Sequence, residues 1–216
     1  GNAVILKGGR YAHGSNQVIA GLMRNALESV GLPGNAAQYV ASRDRQEMAA
    51  LLQLDEDIDL VIPRGGEALI RFVSEHSRIP VLKHYKGVCH LFLDETASEE
   101  MAVQIARNGK VQRPSVCNAL ETLLVHRGAA ERLLPPVAGQ LTSEGVTLHG
   151  CEETRRILTA AGYAVEAATD ADYHAEYLSL DLAVRVVDDL DGAVEHIRTF
   201  GSDHTEAIVT ENHANA

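Results

Sequence analysis

Residues 60–82 read LVIPRGGEALIRFVSEHSRIPVL. Three apolar residues, Leu60-Val61-Ile62, run into the turn Pro63-Arg64-Gly65-Gly66. Leu69, Phe72 and Val73 follow at helical spacing, and a second apolar run occupies 79–82. A short branched-chain run bounded by turn residues suits a strand buried on both faces, and steps of three and four suit an amphipathic helix. Strand, helix and strand in this order predict a parallel sheet with helices packed on it.

The same alternation extends in both directions. Upstream, apolar runs at 3–6 (read as a buried strand) and 38–40 flank a helix at 18–30, which Gly31 and Pro33 should stop. Met48, Leu51 and Leu52 mark a further helix, with Asp44 as its cap. Downstream, strands are predicted at 88–93, 120–125, 146–148, 182–187 and 207–209. Thr96-Ala97-Ser98-Glu99 has the form of a capping box for a helix through Ile105. A helix over 129–141 should kink or break at Pro135-Pro136, and another covers 190–200. The expected fold is α/β, two parallel-sheet units with a boundary near Lys86-Gly87, that is 1–86 and 87–216.

Composition narrows the classes of function. The 216 residues are 45% hydrophobic but only 4% aromatic, so the core must be built from Val, Ile, Leu and Ala. A formal charge of −11 argues against a nucleic-acid partner, though not against a small anion held by local donors. Three cysteines without a CxxC argue against a disulfide scaffold or a structural zinc site and for a reducing compartment. No apolar run approaches the length of about 18 residues that a transmembrane helix needs. Ten histidines show no HExxH spacing, so no metal is expected. The chain opens at Gly1 without an initiator Met, straight into an apolar run. It is expected to be cut from something longer.

Two constellations could carry chemistry. Lys7-Gly8-Gly9-Arg10 and Arg64-Gly65-Gly66 both follow apolar runs. Glycine lets a phosphate approach the backbone, a helix N-terminus offers free N–H groups, and a cation beside the turn adds attraction. Neither matches GxGxxG or GxxxxGK[ST], and ordinary tight turns between strand and helix would look the same. Cys117, in Gln112-Arg113-Pro114-Ser115-Val116-Cys117-Asn118, precedes a strand. As a thiolate it could attack a carbonyl, with backbone N–H groups and the Asn118 amide receiving the oxyanion. The alternative is a buried, inert cysteine. Cys89 and His90 are adjacent on a strand and point to opposite faces, so Cys89 reads as core. Glu176 and Asp181 precede a strand, either on a solvated loop or as a grip on a ribose.

These blocks, in order, resemble the gamma-glutamyl phosphate reductase family, also called glutamate-5-semialdehyde dehydrogenase, within the aldehyde dehydrogenase superfamily. The resemblance rests on residues 1–9, 60–66, 87–90, 112–118 and 178–181. It implies two Rossmann-like units of the aldehyde dehydrogenase fold, incomplete at both ends: part of an NADPH-binding domain over 1–86 and a C-terminally incomplete catalytic domain over 87–216. It implies NADPH-dependent reduction of L-glutamyl 5-phosphate to L-glutamate 5-semialdehyde with release of phosphate, the second step of proline biosynthesis. Cys117 would be the nucleophile, with Asn118 beside it; from its place near Cys117, and not from the resemblance, Arg113 is assigned to the substrate phosphate. Lys7, Gly8, Gly9, Arg10, Arg64, Gly65 and Gly66 would hold the cofactor, with Arg10 suited to its 2′-phosphate. Glu176 falls where a superfamily glutamate binds the nicotinamide ribose, although Leu178-Ser179-Leu180 replaces the usual Phe-Gly-Pro.

Aldehyde oxidases of the superfamily carry a water-activating glutamate where this chain has Lys83-His84-Tyr85-Lys86-Gly87, and its absence fits an acyl-phosphate reductase. Lysines in that stretch are unusual for the family and could alter cofactor seating. The resemblance further implies a cytoplasmic homo-oligomer with no membrane or metal partner, functionally coupled to glutamate 5-kinase. The segment alone is expected to be inactive. A noncatalytic dinucleotide-binding module and a coenzyme A-acylating aldehyde dehydrogenase are the competing readings.

Overall fold

The computed structural model describes residues 1–82 and 86–216, with all their side chains except those of Arg45 and Glu67. The chain divides into two compact units, Gly1–Lys83 and His84–Ala216.

In the first unit, β1 (Val4–Leu6) pairs in parallel with β2 (Ala37–Tyr39), joined by α1 (His13–Ser29). α1 ends at Gly31, whose φ of 78° is the left-handed conformation that glycine adopts freely. The Gly31 N–H donates to Glu28 O and the Leu32 N–H to Leu27 O, which satisfies the last carbonyls of the helix. α2 (Arg45–Leu51) is capped by Asp44, which accepts from the Gln46 N–H at 2.8 Å. α3 (Glu67–His76) begins at Gly66.

Three expectations fail here. The runs at 60–62 and 79–82 do not form strands; they share one parallel bridge, Val61 to Val81. Pro63 and Pro80 lack the N–H groups a longer ladder would use, and among the described residues the pairing consists of Val61 N–H to Pro80 O and Leu82 N–H to Val61 O, both at 2.9 Å. β1 is parallel as expected but exposed instead of buried, since among the described residues it pairs with β2 alone. The apolar stripe of α1, including Val18, Ile19 and Leu22, is exposed as well.

The second unit is built on a six-stranded, wholly parallel sheet. It comprises β3 (Cys89–Leu93), β4 (Leu120–His126), β5 (Thr147–Gly150), β6 (Glu166–Ala167), β7 (Asp181–Val187) and β8 (Glu206–Val209), in spatial order β6-β5-β7-β4-β3-β8. Successive side chains of a strand face opposite sides. Leu91, Leu93, Leu123, Val125, Leu182 and Val184 accordingly pack on one face, beneath α4 (Glu99–Val111), α5 (Arg127–Ser143) and α6 (Glu152–Ala160). Phe92, Leu124 and Val187 pack on the other, against Ala193 and Ile197 of α8 (Leu190–Phe200). A short α7 (Asp170–Tyr173) precedes β7.

Two further expectations are corrected. α5 runs unbroken through Pro135 and Pro136, because Leu133, Leu134, Val137, Ala138 and Leu141 around them are buried against the sheet. Packing there outweighs the two backbone hydrogen bonds that proline removes. The capping box at 96–99 does not form: Ser98 is the cap residue and makes no side-chain bond. Thr96 is drawn to Asp94 and Thr210, and its hydroxyl also accepts the Glu211 N–H at 3.0 Å. α6, β6 and α7 went unread in the sequence. Among the described residues no helix is long and apolar enough to cross a membrane.

Candidate active site

A parallel sheet starts all its strands on one edge, so the loops that precede them converge there. In the second unit Gly87 precedes β3, Cys117 precedes β4, residues 176–179 precede β7 and His204 precedes β8. Ligands of open α/β sheets usually bind at the carboxyl ends of strands. The cysteine of this chain lies at the amino end.

Cys117 is exposed, not buried. It sits in a run of turns in which the Val116 N–H reaches Arg113 O at 3.3 Å and the Ala119 N–H reaches Val116 O at 3.0 Å. Arg113 and Asn118 are exposed in the same turns. The Cys117 carbonyl accepts from the thiol of Cys89 at 3.3 Å. Cys89 is buried, and burial first of all pushes its pKa up to about 11, although Thr205 pulls it down. Its thiol therefore stays protonated and serves as a donor. Its sulfur also lies 3.5 Å from His204 Nδ1.

Gly87 and Glu176 complete this cluster. The Gly87 N–H donates to Glu176 Oε1 at 2.9 Å, across 89 positions of sequence. A Cβ on Gly87 would fall on the Cys117 carbonyl oxygen, 2.9 Å from its carbon and 3.1 Å from Glu176 Oε1. Only glycine permits the approach. The structure thus brings Glu176 beside the cysteine-bearing turn. Lys83, His84 and Tyr85, in the stretch that lacks the water-activating glutamate, lie outside the described residues.

Beneath this edge lies an ion pair that the sequence reading missed. Lys110 on α4 and Glu121 on β4 are fully buried, with Nζ 2.6 Å from Oε2. Burial pushes the Glu121 carboxyl above its usual range and the Lys110 ammonium below its own, and their attraction pulls each back. Two signals could have found the pair. Lys110 follows Ala102 and Ala106 at steps of four, on the buried face of α4, and Glu121 puts a charge in a strand whose other residues are apolar or uncharged polar, save His126 at its end.

The other candidates belong to the first unit. Lys7 Nζ donates to Gly8 O at 3.4 Å. Arg10 lies over the Tyr11 ring, 5.4 Å from its centroid. Arg64 is exposed in the turn that leads to Gly66 at the N-terminus of α3. A Cβ at Gly9 or Gly66 would meet nothing within 4 Å. Packing inside the chain therefore does not require glycine at either position, whereas close approach of a ligand phosphate to the backbone would. At Gly8 and Gly65 a Cβ would instead run into the side chains of Asn16 and Leu69. The open backbone at Gly9 and Gly66, with a cation beside each turn, fits a dinucleotide phosphate.

No protein-family model matches the chain. Full-length similarity to known proteins is strong nonetheless. The chain is 53% identical over all 216 residues to the gamma-glutamyl phosphate reductase of Xanthomonas campestris pv. campestris and 55% identical to that of Xylella fastidiosa. It spans about half the length of these curated relatives, 51% and 50% respectively. The crystal structure of gamma-glutamyl phosphate reductase from Thermotoga maritima superposes on 99% of the chain with a TM-score of 0.92 and 41% identity, the chain covering 51% of it. More distant structures share the fold. An acetylating aldehyde dehydrogenase from Geobacillus thermoglucosidasius matches with a TM-score of 0.70 at 18% identity over 99% of the chain and 55% of its own. An engineered glycolyl-CoA reductase with bound NADP+ matches with 0.69 at 16% over 99% and 56%. Over the whole of its length the chain is similar to about half of each of these proteins named gamma-glutamyl phosphate reductase.

Proposed function

We propose that the protein carrying this chain reduces L-glutamyl 5-phosphate to L-glutamate 5-semialdehyde with release of phosphate, and that Cys117 is its nucleophile. The observation that carries the reading is an exposed cysteine whose own carbonyl is packed against Gly87 and held by the Cys89 thiol. That packing fixes the backbone of the nucleophile while leaving its side chain open to substrate. Such immobilisation lowers the entropic cost of attack.

Cys117 Sγ forms a bond to the acyl carbon as the bond from that carbon to the phosphate oxygen breaks. Phosphate departs without a strong general acid, and a thioester remains on Cys117. When bound, NADPH supplies the hydride that the thioester carbonyl carbon accepts. The carbon–sulfur bond then breaks, releasing the aldehyde and returning the thiolate. Asn118 and the N–H groups of the turn are assigned to the oxyanion, and Arg113 to the departing phosphate. Lys7, Gly8, Gly9, Arg10, Arg64, Gly65 and Gly66 are assigned to the dinucleotide phosphates and adenosine ribose. Glu176 is assigned to the nicotinamide ribose, and its carboxylate, already anchored by the Gly87 N–H, keeps one oxygen for a hydroxyl.

The test is phosphate-dependent NADP+ reduction with glutamate 5-semialdehyde by the full-length protein, compared with Cys117→Ala. Activity should require phosphate and vanish in the variant. Equal rates in the two proteins, or a requirement for coenzyme A in place of phosphate, would overturn the reading.

A further inference from the structure

Lys110 and Glu121 are wholly buried, and neither has a part in the chemistry above. An apolar pair of similar volume would fill the same space at no greater cost in stability. The contacts of the pair point to what the charges do. Glu121 lies four residues after Cys117, on the strand that the cysteine-bearing turn enters. One oxygen faces Lys110, and the other, Oε1, accepts the N–H of Leu178 at 3.1 Å. Leu178 has a φ of 56°. A residue with a Cβ adopts this left-handed conformation only where its surroundings impose it. The Tyr177 ring lies 5.8 Å from Lys110 Nζ, and its hydroxyl donates to Asp172 at 3.0 Å. Glu176, two residues before Leu178, is the carboxylate that the Gly87 N–H binds beside Cys117.

We infer that the Lys110–Glu121 pair is a positioning device. It imposes the left-handed turn at Leu178 and so sets the Glu176 carboxylate against Gly87, next to the nucleophile. Lys110 orients the Glu121 carboxylate, and Glu121 grips the backbone of the turn; neither touches substrate. The consequence for dinucleotide binding rests on the assignment of Glu176 above, whereas the positioning itself does not.

The experiment separates the two. The double variant Lys110→Met/Glu121→Leu removes both charges together, leaves no lone buried charge and takes away the acceptor of the Leu178 N–H. Residue-resolved hydrogen exchange on this chain should show the Leu178 and Gly87 amides exchanging faster by about tenfold or more, the factor expected when a hydrogen bond to a charged acceptor is lost. Amides of the β4 interior such as Leu124 should keep their protection. A Leu123→Ala variant supplies the control, because a purely structural loss of stability accelerates these amides together. In the full-length protein the double variant should raise KM for NADPH several-fold in the wild-type background and have no further effect on top of Glu176→Gln. Unchanged exchange at Gly87, or a uniform rise across the sheet, overturns the inference whatever the kinetics do. Selective exchange at Gly87 with KM unmoved in both the double variant and Glu176→Gln upholds the positioning and refutes the cofactor role of Glu176.

Discussion

Gly87→Ala is the sharpest perturbation the structure offers. The added Cβ would lie 2.9 Å from the carbonyl carbon of Cys117 and 3.1 Å from Glu176 Oε1. Carbon atoms settle at about 3.5–4.0 Å, so the cysteine-bearing turn or the Gly87 backbone must shift by roughly 1 Å. The obstacle is backbone, which cannot swing aside as the end of a side chain can. A displacement of roughly 1 Å at a reacting group costs about 100-fold in rate. Phosphate-dependent NADP+ reduction by full-length Gly87→Ala should therefore fall by about two orders of magnitude, chiefly in kcat. The protein should remain folded by circular dichroism, and Cys117 should still be alkylated by iodoacetamide, so the loss is one of placement and not of the thiol. Gly192→Ala is the control: its Cβ would meet Val187 at an ordinary 3.5 Å, and its activity should be unchanged. If folded Gly87→Ala turned over at close to the wild-type rate, the packing of Gly87 on Cys117 would have no part in catalysis.

Further predictions concern stability. Lys110→Met leaves Glu121 buried with no counter-ion and should destabilise the second unit by about 3–5 kcal/mol in denaturant titration, a loss that Lys110→Met/Glu121→Leu largely recovers. A single variant as stable as the wild type would mean that the pair is not charged. His196 supplies a pH dependence. Burial above all, then the nearby His90 and Arg185, holds its pKa down to about 3. Its Nδ1 lies 3.1 Å from an Arg185 N–H, which requires that nitrogen to be an acceptor. The folded state keeps His196 neutral while the unfolded chain binds a proton below about pH 6.5, so stability is full above that pH and declines as the pH falls toward 3. Between pH 7 and pH 5 the loss from this one group should be about 2 kcal/mol. His196→Asn, which keeps an acceptor for Arg185, should lack that component; equal pH slopes for the two proteins would refute it.

The degree to which the sequence was readable follows the range of the forces involved. Helices such as 190–200, with its three-and-four spacing, and the stop of α1 at Gly31 depend on neighbours in the chain, and both are as read. Strand runs over 88–93, 120–125 and 182–187 were legible because both faces are largely buried and most residues are apolar. Failures occurred where local and tertiary forces competed. Pro135 and Pro136 break helices in isolation, yet α5 is held by its buried face. Thr96 caps helices in short peptides, yet here it binds Thr210, which is 114 positions away. The run at 60–62 has the composition of a strand, but Pro63 just after it and Pro80 in its partner confine the pairing to one bridge.

The candidate site divides in the same way. The order of its blocks along the chain pointed to Cys117, Asn118, Arg113, Glu176 and the two glycine turns before any fold was known. Sequence alone could neither place Glu176 on the Gly87 N–H nor see the Cys89 thiol on the Cys117 carbonyl. Those contacts join loops that precede different strands, and strand order decides which loops meet. Residue types and their spacing thus determined by themselves much of the alternation of elements, because hydrophobic period and turn chemistry are local, whereas the choice of Cys117 rested on the family resemblance. Only the tertiary structure decided that Lys110 and Glu121 lie buried beneath the cysteine's turn, because the cost of burying a charge and the partner that offsets it exist only after the sheet has formed.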